Sequence, residues 1–497
     1  MPMELVSRPM ANTRSALLYA SAAIALSGIA FYYGTGLHPL WWLTWVAPIP
    51  VLLVATKIPR KSVFATAFLA WFAGATNQWH FFRATLQVPV VIVLLFSALP
   101  GLVFALDVLA YRGFLRSGSN WRAALIFPSI WVLFEFITAR LSIHSTFGNI
   151  SYNQMNFLPV LQIASVTGIW GISFSLFLFA STVSVVLSGY GIKGERLWLG
   201  TAVAVALLLV LYYGLWRLHV NPPALQSVKI GLVASDLPQN LITQGPSDTM
   251  RLLQKYAAQA QSLAAQGAQT IVIPEKIAVV RDAELQQADP VLQAVADQSG
   301  ALVIAGVVHI APDAKWNEAR IYSPSSPVRV YEKHHMLPPF ESPLKPGTTR
   351  TVWKEPSGIW GVTICKDMDF PAMGRDYAND GAGLLLVPAW DFVGDGWLHG
   401  RMAILRGVES GFSIARAPKQ GILTATDNRG RVLAERVTGL QPFVSLVANV
   451  PVQNDRTIYA QFGDWFAWLN VGLFLVLIGG GRLVRMRTIS KSLSTVG

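Results

Sequence analysis

The sequence predicts an α/β domain combined with an all-α polytopic transmembrane domain. Three observations indicate this fold class. The 497 residues are 53% hydrophobic and only 13% charged, whereas average soluble domains are about a quarter charged. Eight apolar stretches are long enough to cross a bilayer, which takes about 20 residues. Before the last of them lies a domain-sized segment in which strand-like runs alternate with helical ones, a pattern typical of layered α/β folds.

The apolar stretches divide the chain into three predicted parts. We expect a transmembrane domain of about seven helices in residues 1–220, an extracytoplasmic catalytic domain in 221–460, and a transmembrane helix with a cytoplasmic tail in 461–497. The predicted spans lie near residues 15–33, 37–55, 62–82, 88–111, 121–139, 160–189, 197–216 and 464–481.

Basic residues in the short loops predict the orientation of these spans. Lysine and arginine in short loops tend to stay in the cytoplasm. They cluster in alternate loops, at Lys57, Arg60 and Lys61, at Arg112, Arg116 and Arg122, and at Lys193 and Arg196. With seven spans before it, the globular segment is expected on the periplasmic side of a bacterial inner membrane. The net charge of +12 forms no patch that predicts a nucleic-acid partner.

Hydrophobic periodicity predicts the elements of the globular segment in order. We expect strands at residues 228–235, 270–275, 301–308 and 383–391, and helices at 247–267, 282–300 and 398–416. Turn residues predict two hairpins. One turns at residues 324–327 and the other at 428–430.

Three strand-like runs end at an ionisable or nucleophilic residue. They are "TIVIPEK", which reaches Glu275, "VRVYEKHH", which reaches Lys333, and "GVTICKD", which reaches Cys365. Strand ends on an α/β sheet can meet in one crevice, so we expect these side chains to lie together. Cys365 is the only cysteine, which excludes an internal disulfide and any multi-cysteine metal site.

A glutamate, a lysine and a cysteine in one crevice have the roles that acyl transfer requires. The thiolate is the attacking form, but a free thiol with a pKa of about 8.5 is mostly protonated at neutral pH. Glu275 is expected to be the general base that takes the thiol proton. Lys333 is expected to stabilise the oxyanion. A helix beginning near Pro371 would favour the thiolate through its N-terminal dipole.

The order of these residues resembles that of the carbon–nitrogen hydrolase (nitrilase) superfamily. The apolar spans on either side make the chain similar to the apolipoprotein N-acyltransferase family, over nearly its whole length. The similar segments include "PSIWVLFEF", "SYNQMNFLPVLQIASVTGIWGISF", "IVIPE", "KHHMLPPFE" and "TIYAQFGDW". The resemblance implies a nitrilase-like α-β-β-α sandwich in which Glu275, Lys333 and Cys365 form the triad. It also implies that Glu341 is a second active-site glutamate.

The same resemblance implies a reaction and its partners. Cys365 would attack an acyl ester of a membrane phospholipid, forming a thioester and releasing lysophospholipid. The α-amino group of a diacylated apolipoprotein would then take the acyl chain as an amide. This chemistry implies neither a metal nor an organic cofactor.

The sequence departs from the family pattern close to the triad. The family has Cys-Tyr-Glu where this chain has Cys365, Lys366 and Asp367, and Asn-Asp before a tryptophan where this chain has "AWD". The interval between Glu341 and Cys365 is also short. We expect Glu341, Asp367 and Trp390 to support the triad, and the departures to affect substrate access more than triad chemistry.

Other functions are compatible with the sequence. The thioester could pass to water or to a different amine, which would make the protein a membrane-tethered amidase or an acyltransferase with another acceptor. A catalytically silent lipid-binding scaffold is a further alternative, against which the complete triad argues. Glu135 lies in a predicted span, where carboxylates are functional candidates, although it could equally sit near the outer interface and bond a neighbouring span.

Overall fold

The computed structural model describes residues 12–220, 226–243 and 245–494, with side chains as far as residue 479. The predicted boundary at residue 221 lies outside the described residues, as do residues 495–497 of the predicted tail.

Within residues 12–220 the regular structure consists of helices. The α-helices are α1 (Thr13–Gly34), α2 (Leu43–Val46), α3 (Ile49–Val54), α4 (Arg60–Ala75), α5 (Val90–Arg116), α6 (Asn120–Leu141), α7 (Leu158–Leu161), α8 (Ala164–Thr167), α9 (Ile169–Ser188) and α10 (Lys193–His219). Among the described residues, five helices are long and apolar enough to cross a membrane, namely α1, α5, α6, α9 and α10.

Three predicted spans differ from single straight helices. The span predicted at 37–55 consists of the short helices α2 and α3, because Pro48 and Pro50 have no backbone N–H with which to continue the ladder. The span predicted at 62–82 is α4, which continues through a 3₁₀ turn (Thr76–Gln78) to a π turn (Phe81–Thr85). The span predicted at 160–189 includes α7 and α8 before α9, which begins after Gly168 at a φ of 67°.

The rest of the chain contains thirteen strands and seven helices within the described residues. The strands are β1 (Ser227–Ala234), β2 (Thr270–Val272), β3 (Ala278–Arg281), β4 (Leu302–Ile310), β5 (Lys315–Tyr322), β6 (Arg329–Glu332), β7 (Thr351–Glu355), β8 (Gly358–Val362), β9 (Ala382–Trp390), β10 (Ser413–Lys419), β11 (Ile422–Thr426), β12 (Val432–Val437) and β13 (Val444–Pro451). The helices are α11 (Pro238–Leu241), α12 (Pro246–Ala265), α13 (Asp282–Ser299), α14 (Pro371–Asn379), α15 (Gly396–Ser410), α16 (Ile458–Phe462) and α17 (Trp465–Ser494).

Two mixed sheets pack face to face and confirm the predicted α/β class. The first has the order β13-β1-β2-β4-β5-β6 with β3 beside β4, and the second the order β12-β11-β10-β9-β8-β7. Ile230 and Leu232 of β1 share one buried cluster with Leu384 and Leu386 of β9. Helices α12 and α13 cover the outer face of the first sheet, and α14 and α15 cover that of the second. Burial of both faces gives four layers, α-β-β-α.

The local predictions for this domain are confirmed in most places and wrong in one. Both hairpins form, since β5 pairs with β6 and β11 with β12 in antiparallel register. The helix predicted at 398–416 is too long. It ends at Ser410, and strand β10 begins three residues later. Gly411, at a φ of 90°, supplies the left-handed residue that commonly ends a helix.

The segment between α6 and α7 joins the membrane helices to the globular domain. Thr146 Oγ1 donates to the backbone carbonyl of Asp369 at 2.7 Å. Glu135 on α6 accepts the backbone N–H of Ile150 at 2.8 Å, so this intramembrane carboxylate holds one end of the same segment. The segment therefore lies directly against the turn that contains the nucleophile candidate.

Candidate active site

Three turns bring the predicted triad to one edge of the sandwich. Glu275 follows β2 and Lys333 follows β6, both in the first sheet, whereas Cys365 follows β8 in the second. The backbone N–H of Glu275 donates to the carbonyl of Ala389 on β9 at 3.3 Å. This bond joins the two sheets beside the site.

The Lys333 ammonium is shared by two buried carboxylates. Its Nζ lies 2.8 Å from Glu275 Oε1 and 2.8 Å from Glu341 Oε2. Asn317 Nδ2 donates to the same two glutamates, at 2.6 and 3.0 Å, and Lys276 Nζ donates to Glu341 at 2.6 Å. Charge-assisted bonds of this kind fix geometry. The structure thus brings together three of the predicted residues and adds two that the sequence did not single out.

Glu275 keeps one carboxylate oxygen free. Oε1 takes the bonds from Lys333 and Asn317, whereas the buried Oε2 has no hydrogen-bond partner among the described residues. Burial alone would raise the pKa of Glu275, but the ammonium groups of Lys333 and Lys276 outweigh it and hold the pKa below its ordinary value. The side chain is therefore an ionised acceptor with an open lone pair.

Cys365 begins a 3₁₀ turn (Cys365–Asp369) and is partly exposed. Its backbone φ is 45°, a left-handed value that is uncommon outside glycine and that costs energy at functional sites. Burial and the Glu275 carboxylate raise the pKa of the thiol well above its ordinary value, although Lys333 acts in the opposite direction. The resting group is therefore a thiol, and its proton must leave as the sulfur attacks.

Lys333 can also donate an N–H to a developing oxyanion. Burial would lower its pKa, but the carboxylates of Glu275 and Glu341 raise it well above the ordinary value, so the group is charged. Nζ lies 2.8 Å from Glu275 Oε1 and 3.1 and 2.8 Å from the two oxygens of Glu341. An ammonium has three donors, and one N–H directed at each carboxylate group satisfies both glutamates. The third can serve a substrate oxygen beside the sulfur.

Asp367 connects the nucleophile turn to the turn that carries Lys333. Its fully buried carboxylate accepts the Tyr331 hydroxyl at 2.6 Å and the backbone N–H groups of His334 and His335 at 3.2 and 2.9 Å. It also accepts the backbone N–H of Ile364, next to Cys365, at 3.2 Å, so these four bonds orient both turns. The Asp367 carboxylate therefore positions the two turns, at a distance from the reacting atoms.

Trp390 contacts the thiol through its backbone and a lysine through its ring. Cys365 Sγ donates to the Trp390 carbonyl at 3.5 Å. Lys419 Nζ lies 3.5 Å from the centroid of the indole ring in a cation–π contact. The next residue, Asp391, accepts two bonds from the Arg416 guanidinium. The "AWD" segment, where the sequence differs from the family pattern, therefore lies beside the sulfur.

Comparison with known proteins supplies the family. A model of the apolipoprotein N-acyltransferase N-terminal domain matches residues 27–182, and one of the carbon-nitrogen hydrolase domain matches residues 237–425. The apolipoprotein N-acyltransferase of Geobacter metallireducens is 24% identical, and the match covers 90% of this chain and 92% of that protein. That of Nitrosomonas europaea is 23% identical, with 92% and 95% covered. The chain belongs to the apolipoprotein N-acyltransferase family.

Membership in the apolipoprotein N-acyltransferase family accounts for the two-part architecture. The match to the N-terminal family domain runs from within α1 to within α9, and the match to the carbon-nitrogen hydrolase domain runs from α11, after β1, to within β11. The protein is an acyltransferase with transmembrane character, and its catalytic chemistry belongs to the nitrilase superfamily.

The sequence did not single out two residues of this candidate site. Asn317 is a fully buried amide in the middle of β5, and buried polar groups of this kind need a partner. An asparagine within the strand-like run "KWNEAR" is therefore the sequence signal that could have identified it. Lys276 follows Glu275 directly and has a φ of 51°, which no local pattern predicts.

Proposed function

We propose that this protein moves an acyl chain from a membrane phospholipid, through a thioester on Cys365, to the N-terminal amine of apolipoproteins. One observation carries the proposal. An ionised glutamate, Glu275, keeps an unpartnered oxygen among the described residues, in the same site as a partly exposed thiol. The names of the relatives supply the acceptor class.

The first half-reaction forms the acyl-enzyme. Cys365 Sγ attacks the ester carbonyl carbon while Glu275 Oε2 accepts the thiol proton. The carbonyl oxygen becomes an oxyanion that an N–H of Lys333 stabilises. The carbon–oxygen ester bond then breaks, and Glu275 returns the proton to the lysophospholipid that leaves.

The second half-reaction reverses these roles. The acceptor amine attacks the thioester carbon and gives a proton to Glu275, and Lys333 again stabilises the oxyanion. The carbon–sulfur bond breaks as the amide forms, and the proton returns to the sulfur. Each group ends in its starting state.

The proposal places the catalytic domain, about residues 221–460, on the periplasmic side of the inner membrane. The support is the alternation of basic loops around Lys57, Arg112 and Lys193. Eight crossings require that the helices α2 with α3, α4 and α17 also traverse the bilayer. Phosphatase fusions at Gly118 and at Ser325 test the orientation, since only the second is expected to be active.

The chemistry is tested by trapping the acyl-enzyme. Purified protein incubated with phospholipid is expected to gain the mass of one acyl chain, and the adduct should be labile to hydroxylamine and absent in Cys365→Ala. Absence of any adduct would favour a silent scaffold. Complementation of cells depleted of their own N-acyltransferase tests the acceptor, because an adduct without triacylated lipoproteins would indicate a different amine.

A further inference from the structure

Lys366, the residue after the nucleophile, is a buried cation that forms no ion pair with the residues the structure describes. Its side chain is 4% exposed, and in the described part of the chain no carboxylate oxygen lies within 4 Å of Nζ. Its hydrogen-bond partner is Nδ1 of His144, at 3.0 Å. Burial lowers the pKa of Lys366, while Asp369 raises it from beyond ion-pair distance.

The partner of Lys366 adds no negative charge. Burial, Lys366 and His399 lower the pKa of His144 to about 4, so the imidazole is neutral at pH 7. An ammonium carries three donors, and the imidazole takes one. Lys366 Nζ also lies 5.9 Å from the centroid of the Phe370 ring, which offers only a weak contact at that distance.

The other buried lysines of the site have more partners than Lys366 has. Lys333 has two carboxylates, and Lys419 has the carbonyls of Leu241 and Lys276 together with the Trp390 ring. A buried ammonium with one neutral partner is costly. An anion that arrives with the substrate would remove that cost.

The position of Lys366 identifies the anion. It is adjacent to Cys365, and His144 follows α6, one of the apolar helices able to cross a membrane. The cation therefore lies between the nucleophile and the membrane helices. In a phospholipid the phosphate is joined by the glycerol backbone to the ester that Cys365 attacks.

We propose that Lys366, held by His144, binds the phosphate of the donor phospholipid while Cys365 attacks its ester. This rests on the proposed function, since it takes phospholipid to be the acyl donor. The phosphate completes the ion pair that the chain leaves open, and the bond selects donors that carry a phosphate over neutral glycerolipids.

The test measures binding without acyl transfer. A diether phospholipid, which has no acyl group to give, and the matching diether glycerol, which lacks the phosphate, compete with iodoacetamide for Cys365 in the detergent-solubilised full chain. The phospholipid is expected to protect at a concentration about tenfold or more lower, as a charge-assisted bond implies. Lys366→Met should abolish the preference and Lys366→Arg should retain it. Lys366→Gln replaces the methionine variant if that fails to fold.

The controls separate the outcomes. Lys354→Met removes an exposed lysine on β7 and should keep the preference. Equal protection by both lipids in the native chain, or a preference that survives in Lys366→Met and Lys366→Gln, overturns the proposal. Protection by inorganic phosphate alone, at the same concentration as the lipid, would indicate a free-phosphate site and also overturns it. Normal lipid preference without N-acylation of peptides would instead count against the proposed function alone.

Discussion

Glu275 Oε1 accepts a hydrogen bond from Lys333 Nζ at 2.8 Å, whereas Oε2 of the same carboxylate has no partner in the described part of the chain. One oxygen is thus engaged in positioning the ammonium and the other remains available for proton transfer. This division makes the roles of the two residues separable by substitution.

Glu275→Gln should abolish acyl-enzyme formation while preserving the fold. The amide oxygen can still accept from Lys333 and Asn317, but its NH₂ group cannot take the thiol proton. The loss should be about 10²- to 10⁴-fold, as for removal of a general base. Single-turnover acylation followed by intact mass measures it, with Asp313→Asn, an exposed carboxylate, as the matched control. Acylation at the native rate would rule out Glu275 as the base.

The same substitution should speed alkylation of the thiol. The Glu275 carboxylate raises the pKa of Cys365, so its removal lowers that pKa and increases the thiolate fraction at pH 8. Iodoacetamide should then react faster with Glu275→Gln than with the native chain, and its rate should level off at a lower pH. Opposite changes in acylation and alkylation are the expected signature. A parallel loss of both rates would show that the substitution had displaced the sulfur.

Lys333→Met should destabilise the protein as well as inactivate it. It leaves Glu275 and Glu341 buried without the ammonium they share, and breaking a buried ion pair costs about 3–5 kcal/mol. The double variant Lys333→Met/Glu341→Gln removes one of the two charges and should recover much of the melting temperature. It should recover no activity, because the ammonium proposed to stabilise the oxyanion is gone. Thermal unfolding in detergent and acylation rates distinguish the two effects.

Asp367→Asn should lower kcat with little change in KM. The carboxylate orients the backbone of His334 and His335 next to Lys333, and an amide supports those bonds less well. We expect a loss of about tenfold or more, since bonds to charged groups contribute about 1.5–3 kcal/mol. Asp367→Glu, which keeps the charge on a longer arm, should recover part of the rate. A change confined to KM would assign Asp367 to substrate binding instead.

Stability should fall as pH rises above neutrality because of His399. Burial alone would lower its pKa, but Asp395, with Asp369 and Asp391, raises it to about 9. A raised pKa means that the stabilisation is complete below the unfolded value of about 6.5 and is lost as pH rises through about 9. The melting temperature of the native protein should decline over that range, and that of His399→Gln should decline less. Parallel curves for the two proteins would contradict this assignment.

Local sequence signals predict which residues stand at the strand ends, but not the contacts that support them. The runs ending at Glu275, Lys333 and Cys365 could be read directly, because strand ends and residue types are local properties. The contacts of Asn317 and Asp367 join segments far apart in the chain, so no local pattern predicts them. The sequence also predicts that Asp367 supports the triad, and that role stays a prediction.

Backbone breaks limited the prediction of element lengths. Hydropathy predicts one continuous span at residues 37–55, but the helix is interrupted near Pro48 and Pro50. Helical spacing similarly predicts a helix that continues beyond Gly411, whereas α15 ends before that residue and a strand follows. Both errors come from periodicity that continues where the hydrogen-bond ladder does not.

The bond from Thr146 to the backbone of Asp369 has a practical consequence for anyone preparing this protein. The turn that presents the sulfur is braced from outside its own sheets, by a segment that begins at the end of α6, a helix long and apolar enough to cross a membrane. A soluble fragment cut at the domain borders would keep all three reactive side chains and lose that brace. Such a fragment should fold as a sandwich but react slowly with acyl esters. The catalytic domain therefore has to be purified together with its membrane helices.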